Sequence, residues 1–105
     1  MKAIFEDLPL HKNEQEQRYE LSYEGHTAFI EFKETSRQIA LIHTEAPEAL
    51  AGTGAAAALV EKTLLSIEQS GKKLLPFCPY VFAFIRRHPE WKKLVDPTFN
   101  GYQNL

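Results

Sequence analysis

An α+β fold, a mainly antiparallel sheet crossed by helices, is what three features of the chain predict. Apolar residues alternate with period two through residues 19–32, the spacing turns helical after Gly54, and a short apolar run stopped by Pro76 separates that helix from a second one. The element order is three strands, helix, strand, helix, and the strand-helix-strand unit at 38–76 should cross right-handed. The 105 residues make one domain, with its core at about 18–95 and no room for a second core.

The first residues lead into a polar run, Lys12-Asn13-Glu14-Gln15-Glu16-Gln17, and read as a solvated lead-in with a short edge strand at 3–5. Tyr19, Leu21 and Tyr23 alternate with Arg18, Glu20 and Ser22, the pattern of a half-buried strand. Glu24-Gly25 signals a tight turn, and Ala28, Ile30 and Phe32 continue into an antiparallel partner. After a turn at 34–37, Gln38-Ile39-Ala40-Leu41-Ile42-His43 is apolar on both faces, as a central strand covered on both sides would be. Pro47 ends it. Ala56, Val60, Leu64 and Ile67 then fall on one helical face, with Glu61, Lys62, Glu68 and Gln69 pointing elsewhere. The four alanines at 55–58 permit close approach to a sheet or ligand, and alanine is the best helix former. Gly71 is the expected left-handed stop, with Lys72 and Lys73 near the negative helix end. Leu74-Leu75 gives a short buried strand. Pro79 fits the first position of a helix that runs to His88 and stops at Pro89. Phe77, Phe82, Phe84 and Trp91 read as core, with Trp91 and Leu94 folding back, and 96–105 reads as a polar tail.

Hydrophobic residues at 44% and charged residues at 25% are those of a soluble globular protein. A net charge of −2 gives no electrostatic capture of nucleic acid or of an anionic membrane. No window approaches the roughly 20 apolar residues of a membrane span. A single cysteine excludes an internal disulfide and a cysteine-rich zinc site, and the N-terminus lacks the apolar stretch of a signal peptide, so a reducing cytoplasm is expected. Four scattered histidines with no paired spacing make no metal site.

Two features carry chemistry. Gly52-Thr53-Gly54 opens the alanine-rich helix, where glycines let a ligand approach the backbone and the first turn's free N–H groups favour an anion. The same turn serves equally as a tight strand-to-helix connection. It is not a P-loop, because no Lys-Ser or Lys-Thr follows at the required spacing. Cys78 stands just before the Pro79 helix, where a thiolate would be stabilised, although a free cysteine is also among the most buried and inert residue types.

Taken together, four segments resemble one family. They are Ile42-His43-Thr44-Glu45-Ala46-Pro47-Glu48-Ala49-Leu50, Gly52-Thr53-Gly54, Leu75-Pro76-Phe77-Cys78-Pro79-Tyr80-Val81 and Ile85-Arg86-Arg87-His88-Pro89-Glu90-Trp91. The family is the short, single-domain branch of the GNAT superfamily of acetyl-coenzyme A-dependent N-acetyltransferases, and the match covers roughly residues 18–95. The resemblance implies a GNAT-like sheet with a β-α-β cofactor unit and a C-terminal helix, in which the cofactor wedges between splayed strands. It implies that the pyrophosphate of acetyl-coenzyme A lies on the N–H groups around Gly52, Thr53, Gly54, Ala55 and Ala56. Gly54 and Ala56 fit the superfamily pattern there, whereas Ala51 stands where a Gln or Arg belongs.

Next to an acetyl site so placed, Cys78 would either carry the acetyl group between thioester and amine or line the pocket while the amine attacks directly. His43 would be the base, or a structural residue at a strand end. Glu45 would be the next candidate base, or would complement the helix N-terminus. Tyr80 would donate to the departing thiolate, or pack. The function implied is transfer of an acetyl group from acetyl-coenzyme A to a primary amine of a small molecule, protein or peptide. The alternative is a non-catalytic coenzyme A-binding module, and a redox-responsive thiol protein is a third possibility. An exposed edge in so small a sheet allows a monomer or a weak dimer.

Overall fold

The computed structural model describes all of residues 1–105. Helix α1 spans Ala3–Glu6, and strands β1 to β4 span His11–Asn13, Arg18–Tyr23, His26–Glu34 and Gln38–Glu45. Helix α2 follows at Ala55–Ser70, then β5 at Lys73–Pro76 and α3 at Pro79–Arg87. The five strands lie in chain order in one sheet, antiparallel from β1 to β4, with β5 parallel to β4. The fold is α+β.

The period-two pattern does its expected work on one face. Tyr19, Leu21, Ala28, Ile30, Phe32, Ile39, Leu41 and Leu74 are all buried, and the Ala55, Ala58, Leu59, Val60, Thr63, Leu64 and Ile67 face of α2 covers β2 and β3. Burying side chains of this size contributes roughly 1.5–3 kcal/mol each, and α3 adds Val81, Phe84 and Ile85 to the same core where it packs on β4 and β5. Gly71 ends α2 at φ 75 and Pro79 opens α3, both where the sequence puts them.

Four expectations are corrected. Residues 3–5 form α1 rather than an edge strand, and Phe5 is fully buried, stacked edge-on to Tyr23 at 5.1 Å. The edge strand is instead β1, which pairs with β2 through His11↔Glu20 and Asn13↔Arg18. The far face of β4 is open rather than covered, with Ile42 and His43 both exposed. Residues 96–105 are not a free tail. The Asp96 N–H donates to the Leu74 carbonyl at 2.9 Å, the Gln38 amide donates to the Asp96 carboxylate at 2.9 Å, and Phe99 stacks on Phe77 and Phe82. Phe77 itself is 56% exposed, so it is a rim residue and not core.

Candidate functional site

The site is organised by an interruption in β4. Its ladder with β3 runs Glu34↔Ile39, Lys33↔Ala40, Phe32↔Leu41, then slips so that Glu31 faces His43 and Ile30 faces Thr44. Ile42 is the extra residue of a β-bulge, and the bulge reverses which side chains point inward. Without it His43 would follow Leu41 into the interior. With it Thr44 points inward opposite buried Ile30, and His43 and Glu45 share the outer face, where His43 Nε2 lies 3.7 Å from Glu45 Oε1.

On the other side of β4 the parallel ladder with β5 ends at Leu41↔Pro76. Pro76 has no N–H to extend it. One more hydrogen bond, from the Cys78 N–H to the Leu41 carbonyl at 2.8 Å, ties down the chain before α3 carries it away. Residues 42–45 of β4 thus have no strand partner on that side, and a free edge presents unpaired peptide groups. Cys78 is buried at this fork as the residue preceding α3, and its Sγ is 3.2 Å from Thr44 Oγ1.

The turn into α2 is the second half of the site. Gly52 and Gly54 have φ of 74 and 90, the left-handed region that glycine adopts without steric cost. The Thr53 hydroxyl donates to the Leu50 carbonyl at 2.6 Å and accepts the Ala55 N–H at 3.1 Å, so it braces the turn from within. The first backbone bond of the helix is from the Ala58 N–H to the Gly54 carbonyl at 3.0 Å. The N–H groups of Gly52, Gly54, Ala56 and Ala57 have no partner in the protein, while that of Ala55 is already used. Free donors at the positive end of a sixteen-residue helix suit an anionic oxygen. Beside them a cavity of about 360 Å³ runs between α2 and α3, lined by Gly54, Ala57, Ala58, Phe84 and His88 among others.

Tyr80, in the first turn of α3, is exposed at 38%. His88 stacks on Phe84 at 4.4 Å at the far end of α3. Two residues at the site were given no role by the sequence. Thr44 falls in the His43-Thr44-Glu45 strand end, but its inward direction beside Cys78 follows only from the bulge. Lys2 reaches the α2 turn from 51 residues away, and its Nζ donates to the Thr53 carbonyl at 2.8 Å. No pattern in the sequence could pair those two segments.

A five-stranded sheet whose fourth strand bulges and parts from a parallel neighbour, with a glycine turn and helix following it, is the arrangement an acyltransferase scaffold requires. A family model described as GCN5-related N-acetyl-transferase matches residues 18–94, and the chain belongs to that family. Family membership points to acyl transfer from acetyl-coenzyme A to an amine as the general activity. No helix is long and apolar enough to cross a membrane.

Proposed function

We propose that the protein transfers the acetyl group of acetyl-coenzyme A to a primary amine by direct attack. The observation that carries this reading is the set of four unpaired amides at Gly52, Gly54, Ala56 and Ala57, beside a cavity of about 360 Å³. Those amides would hold the diphosphate, and the unpaired edge of residues 42–45 would hold the pantetheine arm. Peptide N–H groups of that edge hold the thioester carbonyl and take up charge as it becomes a tetrahedral oxyanion.

The amine approaches from the outer face of β4. A shallow cavity of about 270 Å³ lies there, lined by Thr27, Phe29, Glu45, Ala46 and Pro47, with the Glu45 carboxylate to attract an ammonium. His43 takes the proton as the C–N bond forms, the C–S bond breaks when the tetrahedral carbon collapses, and the Glu45 carboxylate lies 3.7 Å from the imidazole Nε2. Holding amine and thioester together supplies much of the acceleration, which asks little of a small domain. Tyr80, exposed in the first turn of α3, would donate its hydroxyl proton to the departing thiolate.

Cys78 lines the acetyl pocket in this reading. Its side-chain partner is Thr44 rather than a base, and His43 and Glu45 project from the opposite face of the strand. One observation favours the covalent route: the thiol precedes a nine-residue helix, whose first-turn N–H groups are free to hold an oxyanion formed on it. Intact mass after mixing with acetyl-coenzyme A separates the two. Direct attack predicts no added acetyl on the protein and turnover by Cys78→Ala within a few-fold of the parent; acetyl-Cys78 and a dead Cys78→Ala enzyme would establish the covalent route. A cofactor complex with no turnover across a broad panel of amines would mean a binding module instead.

A further inference from the structure

The turn at 51–54 contains no ionisable side chain, yet one cation is folded onto it from elsewhere in the chain. Lys2 stretches across the turn so that its Cε lies 3.3 Å, and its Nζ 3.6 Å, from where a Cβ on Gly54 would sit. Its Nζ bonds to the neutral carbonyl of Thr53, and no carboxylate lies within ion-pair distance of it. An ammonium at the N-terminal end of a helix is placed against the macrodipole, a mildly unfavourable arrangement. Two sources of positive potential therefore converge on Gly54, with four free amides between them, while the one carboxylate lining the same cavity, Glu61, is paired with the Met1 α-amino group at 3.5 Å.

We infer that Lys2 is a cofactor-binding residue, whose ammonium pairs with the diphosphate of coenzyme A lying on the α2 turn. This rests on the proposed cofactor site and extends it to the first residues of the chain. The ammonium replaces its bond to a carbonyl with a charge-assisted bond to a phosphate oxygen, and charge-assisted bonds are about twice as strong as neutral ones. Lys2 also lines the cavity between α2 and α3 beside Gly54 and Ala57, whose amides the proposed site uses.

The test is calorimetric titration of coenzyme A into the full chain and into Lys2→Met, Lys2→Arg and Lys2→Glu. Lys2→Met is expected to weaken binding roughly tenfold, Lys2→Arg to restore most of the loss, and Lys2→Glu to weaken it further. Because the interaction is ionic and exposed, the gap between parent and Lys2→Met should narrow as salt is raised. Thermal unfolding of the variants, expected to stay close to the parent, checks that the fold is intact. Equal affinity in parent and Lys2→Met overturns the inference while leaving the cofactor site standing. Tighter binding by Lys2→Met overturns it too, and makes the N-terminal segment a latch over the turn. Failure of the parent chain to bind coenzyme A removes both this inference and the site beneath it.

Discussion

Gly54 sits where two demands meet, a backbone at φ 90 and a surface that a phosphate can touch. An alanine there strains the left-handed backbone by about 1–2 kcal/mol and pushes its methyl against Lys2. Gly52, at φ 74, carries the same backbone demand, but a Cβ there meets nothing within 4 Å. Gly52→Ala and Gly54→Ala should therefore lose similar stability on urea unfolding, and Gly54→Ala should lose distinctly more affinity for coenzyme A. Equal affinity losses would mean that the turn only shapes the chain. His43→Ala tests the outer face: kcat should fall by roughly a hundredfold or more, with KM for acetyl-coenzyme A little changed. Thr63 is a different kind of residue-scale case. Its hydroxyl is fully buried in α2 without a hydrogen-bond partner, and such an orphan costs free energy. Thr63→Val keeps the shape and should leave the protein equally stable or up to about 1 kcal/mol more so, as read from the urea midpoint.

At the scale of elements, one ionic clamp joins segments far apart in the chain. Glu34, at the end of β3, accepts from Lys12 of β1 at 2.7 Å and from Lys72 just beyond α2. The Lys12 and Lys72 hydrogen bonds hold the Glu34 carboxyl below its ordinary range, against the opposing effect of burial. For Lys12 burial acts to favour the neutral amine, but the bonds to Glu34 and Glu14 and the nearby Tyr19 prevail and raise its pKa. Tyr19 beside them is pushed up to about 12, chiefly by burial. A carboxylate with a depressed folded-state pKa stabilises the fold above the unfolded value, and that contribution is lost as pH falls through the folded one. Asp96 behaves in the same sense, held down by the Gln38 amide and then by Thr98. Stability should thus fall as the pH drops below the ordinary carboxylate range, and Glu34→Gln should flatten that fall in a urea series from roughly pH 6 to pH 3. An unchanged slope would show that the clamp is screened by solvent.

Across the whole molecule, what was legible in the sequence is what local periodicity encodes. The alternation of Tyr19, Leu21, Ala28, Ile30 and Phe32, the stop at Gly71 and the start at Pro79 all read correctly, because each depends on its near neighbours. Phe5, Lys2 and Phe99 did not, because their partners Tyr23, Thr53 and Phe77 lie tens of residues away or across the fold. The open face of β4 was missed because a run such as Ile39-Ala40-Leu41-Ile42 looks the same whether a second layer covers it or a bulge turns one residue out. In the proposed mechanism that bulge matters most, since it separates Thr44 and Cys78 from His43 and Glu45 and so gives the strand two chemically distinct sides.

The amides at the head of α2 can be watched one by one as coenzyme A is added to uniformly labelled protein, by two-dimensional nitrogen–proton NMR. The expected result is saturable one-to-one binding, with the largest shifts at Gly52, Gly54, Ala56 and Ala57 and downfield movement of their protons as they donate to phosphate. Binding with those four signals unmoved, or no binding at all, would contradict a cofactor held by the backbone of that turn.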